Sequence, residues 1–288
     1  MRRTMLLLST MALVLLVVGG VAASQQRQEE GSTPSSHSST ASDKSGGDVS
    51  IQSTTVKASF VSGTGANFLG VKVSNHGNLL SFESPAGQEA AVPAAEGYAL
   101  CTDTFTVHGH DTGGVEEGFG PPKFKQPNPG KFPLTITRKT TDGEFQLKQV
   151  WSKPDATEKD VTLTMTVKNL SNATIFDIAL SRSGDFDVGP GATDQGARTD
   201  DSVWLWDEPG TDNPAGGLML KALTFGTPHS PRIEAQSDWA TTGTRQRCSP
   251  FPATTPTARG DFAMRVAYNL GFLSPGQSKT VKLEYGRM

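Results

Sequence analysis

The segment 161–183 reads VTLTMTVKNLSNATIFDIALSRS, and its hydrophobic spacing decides the fold. Val161, Leu163, Met165 and Val167 alternate with Thr162, Thr164, Thr166 and Lys168. Successive side chains of a strand point to opposite faces, so this is a ribbon with one apolar side and one wet side. A turn cluster follows at 169–173. Phe176, Ile178 and Leu180 then alternate with Asp177, Ala179 and Ser181. Paired ribbons of this kind hide their apolar sides against one another, which predicts a β-sandwich.

The same period recurs at the C-terminus. Phe262, Met264, Val266, Tyr268 and Leu270 alternate with Ala263, Arg265, Ala267 and Asn269. Beyond Ser274-Pro275-Gly276, Val281, Leu283 and Tyr285 alternate with Thr280, Lys282 and Glu284. The two runs are expected to form a closing hairpin integral to the core. Shorter extended runs fall at 52–60, 68–73, 79–82, 98–101, 104–108, 132–138, 144–151, 203–206, 217–223 and 233–235. Turn signals separate them, among them Asn75-His76-Gly77-Asn78 and Pro85-Ala86-Gly87. Asp142-Gly143 between two such runs predicts a tight hairpin. No helical stripe longer than a turn or two interrupts the pattern, and there is no internal repeat. With 31 Gly and 18 Pro in 288 residues, the composition suits a turn-rich β protein. The expectation is an all-β chain forming one large antiparallel β-sandwich over 51–288. Two smaller immunoglobulin-like sandwiches are the alternative.

The runs VTLTMTVKNLSNATIFDIAL and LSPGQSKTVKLEYG resemble those of secreted bacterial β-sandwich domains, both immunoglobulin-like domains and the larger galactose-mutarotase-like supersandwich. The number of strands favours the supersandwich. That resemblance implies an association with carbohydrate. The mutarotase family relies on two histidines and an acidic base, and no motif here corresponds to them.

The N-terminus speaks to compartment. Arg2 and Arg3 precede an apolar run, Met5 to Val18, which ends in Gly19-Gly20-Val21-Ala22-Ala23. This order matches a cleaved signal peptide over 1–23. An uncleaved membrane anchor is the alternative, and would be the only contact with a membrane. Residues 24–50, rich in Ser, Thr, Gln and Gly, lack the apolar content to offset their ordering entropy and are expected to form a disordered linker. The chain is therefore read as secreted or cell-envelope associated. In an oxidising compartment its two cysteines, Cys101 and Cys248, are expected to pair. A net charge of −3, from 26 basic and 29 acidic residues, without a basic stripe interleaved with aromatics, argues against a nucleic-acid partner.

Three constellations could carry chemistry. His108 and His110 share one strand face, with Phe105 and Val107 turned inward. They could ligate zinc or copper if Asp111, Glu116 or Glu117 supplied a third ligand; the plainer alternative is a solvated strand end. Asp185 and Asp187 also share a face, with Asp194, Asp200 and Asp201 in the glycine-rich stretch beyond. Hard oxygen ligands make calcium the candidate cofactor, and the same pair could act as acid and base on a glycoside. The alternative is a polar loop whose Asp side chains cap their own turns. Val203-Trp204-Leu205-Trp206-Asp207-Glu208 places both tryptophans on one face beside acidic residues, suited to stacking on a sugar, with Trp239 as a further platform. A strand buried on both sides is the competing reading.

Standard signatures of hydrolases, metalloproteases and nucleotide-binding loops are absent. The leading functional expectation is an exported protein that binds an extracellular ligand such as a cell-envelope or other polysaccharide. The alternatives are a carbohydrate-active enzyme of mutarotase or glycosidase type, acting through Asp185, Asp187 or the histidine pair, and a structural or adhesive surface domain.

Overall fold

The structure, a computed structural model, describes residues 55–91, 96–102, 107–112, 116–188, 195–206, 217–235, 248 and 260–287. All belong to one compact unit, Val49–Met288. The expected signal peptide and linker lie outside the described residues. Strands, numbered along the chain, form three antiparallel sheets. The largest has eight strands in the spatial order β14 (Gln195–Arg198), β15 (Ser202–Trp206), β16 (Gly217–Ala222), β19 (Ser278–Arg287), β11 (Asp160–Asn169), β10 (Phe145–Trp151), β9 (Leu134–Lys139) and β8 (Lys123–Lys125). The second has six: β17 (His229–Ala235), β18 (Phe262–Leu273), β12 (Ile175–Asp185), β5 (Glu96–Cys101), β6 (Val107–Asp111) and β7 (Glu116–Glu117). The third has five: β1 (Val56–Ser62), β2 (Leu69–Ser74), β3 (Leu79–Glu83), β4 (Glu89–Ala91) and β13 (Asp187–Val188). The helical content among the described residues is a single 3-10 turn, Gly65–Asn67. The chain is an antiparallel β-sandwich.

The eight- and six-stranded sheets face each other over a common core that the five-stranded sheet joins. β11 shows why. Val161, Leu163, Met165 and Val167 are buried, while the threonines and Lys168 between them remain partly open. β9 and β10 repeat the alternation, and the hairpin expected at Asp142-Gly143 joins them, with Gly143 at φ 78° supplying the left-handed turn residue.

Two expectations need correction. The closing hairpin does not form: β18 pairs with β12 and β17, whereas β19 pairs with β11 and β16 in the facing sheet. Alternation shows which side of a strand is apolar but not which neighbour takes its backbone hydrogen bonds. β18 is also covered on both faces, so Ala263, Arg265 and Ala267 are buried alongside Met264 and Val266. In β12, Phe176 does not turn inward and is 55% exposed. The register breaks on both sides of Ile178, and Asp177 has φ 49°. An extra residue at a bulge swaps the faces of the residues before it, and Asp tolerates the left-handed region better than most.

The core has a charged centre. Arg182 on β12 donates to both oxygens of Glu96 on β5, to the Gln149 side chain on β10 and to the Gly77 carbonyl. The Tyr285 hydroxyl on β19 donates to Glu96, as does the Leu79 amide on β3. Burial pushes the Glu96 carboxyl up to about 7, while Arg182, Tyr285 and the Leu79 amide pull against that rise. Burial also drives the Tyr285 phenol well above its usual range. One cluster thus ties all three sheets together.

Candidate functional site

β15 carries the aromatic pair. Val203 and Leu205 are fully buried and pack toward the six-stranded sheet, so Trp204 and Trp206 stand on the outward face, half-buried. Two positions along a strand set their Cα atoms about 6.6 Å apart. Their ladder neighbours are small on one side each: Ala197 lies beside Trp204, and Gly217 beside Trp206. Met219 and Gln195 flank them on the other sides. The result is an aromatic strip at one end of a regular sheet surface. Asp207 and Trp239, expected to extend it, lie outside the described residues.

The carboxylates form a second group. Oxygen atoms of Asp185, Asp187 and Asp261 lie within 4.8 Å of one another. Asp185 ends β12, and the chain bends at buried Phe186 before Asp187 enters the five-stranded sheet as β13. Asp261 precedes β18, far away in sequence, where no local pattern singles it out. Asp194 lies outside the described residues. Asp201 instead faces the His229 ring, Nε2 to Oδ1 3.0 Å. Burial, and after it the charge of Asp261, raises the Asp187 carboxyl, and burial raises that of Asp261. Three hard oxygen donors suit a cation such as calcium and supply part of the six to eight oxygens it takes.

The histidine pair occupies the opposite side of β6 from the one expected. His108 and His110 are 2% and 1% exposed, so their shared face is the buried one, whereas Val107 is only partly buried. Phe105 lies outside the described residues. The two rings go to different acids, not to a common point. His110 Nδ1 lies 2.7 Å from Glu116 Oε2, and His108 Nε2 lies 3.1 Å from Asp142 Oδ2. Glu116 is further held by Arg138, whose Nη2 donates to Oε1 at 2.7 Å, and Arg138 also reaches the Tyr98 hydroxyl. These donors hold the Glu116 carboxyl below its usual range against the opposing effect of burial. His76, from the β2–β3 turn, stacks on His110 at 4.4 Å. Gly118, at φ 71°, sits so close to His108 that a Cβ there would meet the ring at 2.2 Å. The assembly is a packed polar cluster with Glu116 and Asp142 as its partly open members. Asp142 and Arg138 are the partners that sequence spacing missed, because both arrive from the β9–β10 hairpin.

Cys101 and Cys248 form a disulfide. Among the described residues no helix is long and apolar enough to cross a membrane.

No protein-family model matches this sequence, and no curated protein does. Solved structures are similar in fold. A bacterial glucoamylase complexed with acarbose matches at a TM-score of 0.51 and 12% identity, over 83% of this chain and 33% of that one. A mutant of heparan sulfate lyase HepC from Pedobacter heparinus matches at 0.45 and 11% identity, over 81% and 36%. A chain from the human microbiome described as a kojibiose phosphorylase matches at 0.46 and 10% identity, over 84% and 31%. The neighbours are carbohydrate-active enzymes, and this chain spans about a third of the length of each.

Proposed function

We propose that this chain is an exported β-sandwich protein that binds an extracellular carbohydrate, with Trp204 and Trp206 as its stacking platform. The observation that carries this is the placement of both indoles, half-open, on the outward face of β15. The C–H faces of a pyranose suit an aromatic plane, and each indole keeps an N–H to donate to a hydroxyl. The fold likeness to a glucoamylase complexed with acarbose supports a setting of sugar chemistry. The disulfide is compatible with an oxidising, extracellular environment, and the signal-like N-terminus supports export. The single large domain over 51–288 is part of the same reading.

Catalysis through the other candidates is less well supported. Asp185, His108 and His110 are each 2% exposed or less, so none presents a face to a substrate, and Asp187 alone of these candidates is partly open. A glycan array probed with the mature chain tests the reading. Retention by a polysaccharide, lost in a Trp204→Ala/Trp206→Ala variant that still folds, is the expected result. No retention anywhere on the array would overturn it in favour of a structural or adhesive role. Release of reducing sugar, or accelerated mutarotation, would replace it with an enzymatic one.

A further inference from the structure

The outward face of the eight-stranded sheet continues beyond the tryptophans, and its register collects charge that is scattered in sequence. Lys123 and Lys148 fall in one cross-strand row with Thr137 and Thr166. Lys125 and Lys282 fall in the next row, with Thr164 between them on the central strand. Lys139 and Lys168 fall in the row on the other side, joined through Gln146. These three adjacent rows hold six lysines from β8, β9, β10, β11 and β19, and no acidic residue. Five of the six side chains are exposed and Lys168 is half-buried. Among the described residues none of the six is in an ion pair with a carboxylate. The chain as a whole carries a net charge of −3, so this concentration of positive charge is local.

From this arrangement we infer that the face binds an acidic polysaccharide, one bearing carboxylate or sulfate groups, across the lysine rows, which the row of Glu284 and Lys221 separates from the tryptophans. The inference rests on the carbohydrate-binding reading and narrows it to a class of glycan. Lys123 and Lys148, like Lys139 and Lys168, stand on alternate strands about 9.6 Å apart, Lys125 and Lys282 stand four strands apart at about 19 Å, and successive rows lie about 6.6 Å apart. That grid meets charges carried along an extended chain, not one compact anion. The threonine hydroxyls between the lysines can both donate to and accept from sugar hydroxyls. Nucleic acid fits less well, because the three rows contain no aromatic side chain on which bases could stack.

The test measures retention of the full chain by affinity electrophoresis in polygalacturonate, chondroitin sulfate and, as neutral polymers, dextran and soluble starch. Retention by the acidic polymers should weaken as NaCl is added, because exposed charges are screened over about 10 Å at 0.1 M salt. Lys148→Glu/Lys282→Glu should weaken it about tenfold. Lys72→Glu/Lys153→Glu, the same charge change at exposed positions off this face, should leave it unchanged. Circular dichroism confirms that both variants fold. Retention by neutral polymers alone, insensitive to the lysine variants, would overturn the inference while the carbohydrate reading stands. Retention by no polymer would remove both. Binding to phosphatidylserine vesicles or duplex DNA without binding to either acidic glycan would also overturn it, and would reassign the face.

Discussion

Arg182 and Glu96 meet edge to edge inside the sandwich, Nε to Oε1 at 2.5 Å and Nη2 to Oε2 at 2.7 Å, and neither residue is exposed to solvent. A buried pair of this kind does little for stability relative to a well-packed apolar replacement, but removing one member leaves an uncompensated charge in the core. Arg182→Ala and Glu96→Ala should each lower the unfolding free energy by about 3–5 kcal/mol, read from urea denaturation. The joint change Glu96→Leu/Arg182→Met should cost less than either alone. Single variants within experimental error of the parent would show that water or another cation reaches this point.

The disulfide links positions 147 residues apart in sequence. Closing a loop of that length removes denatured-state entropy worth about 5 kcal/mol in the chain-entropy model. Cys101→Ala/Cys248→Ala should therefore unfold at markedly lower urea than the parent, and the parent should move to the same midpoint when reduced. Coincident midpoints for the oxidised parent and the double variant would mean that the denatured chain is already compact around this contact.

The fold was legible where burial follows a strict period of two. The ten-residue β11 and the paired β9 and β10 show alternation unbroken from end to end. The short strands β4, β7, β8, β13 and β14, two to four residues each, were not legible, since a run that brief has no period to detect. Sheet membership was hidden too: β18 and β19 follow each other across a turn yet belong to opposite layers. At the candidate sites the neighbours within a strand could be read, as with Trp204 and Trp206. Neighbours brought by topology could not, as with Asp261 beside Asp185, or the lysines that line up only once the register is known.

Asp160 opens β11 among like charges. Burial, followed by Glu284, Asp155 and Glu158, raises its carboxyl from 3.8 to about 6. A carboxyl that holds its proton more tightly when folded contributes stability fully present below its unfolded pKa and lost as pH rises through the folded value. Stability should accordingly fall between pH 3.8 and about 6 on account of this group. Asp160→Asn should flatten that fall. Because the side chain is only partly buried, screening reduces the gain above pH 6 to about 0.5–1 kcal/mol, observable as a thermal midpoint raised by about 1–4 °C. An equal gain at pH 3 and pH 8 would show that charge is not the cause.

β15 offers the sharpest separation of roles, because its two faces do different things. Leu205 is fully buried between the sheets, whereas Trp204 and Trp206 look outward. Leu205→Ala removes core volume and should cost about 2–5 kcal/mol of stability, with glycan affinity in the folded fraction unchanged. Trp204→Ala and Trp206→Ala should act the other way. Each removes a stacking surface of the kind that dominates binding sites, so affinity should fall about tenfold or more, while the far-ultraviolet circular dichroism stays that of the parent. Phe at either position keeps an apolar plane and should restore part of the affinity. Isothermal titration on the three classes of variant distinguishes the outcomes. If the tryptophan variants bind as the parent does, the outward indoles are ordinary surface packing, and the carbohydrate site must be sought elsewhere on the molecule.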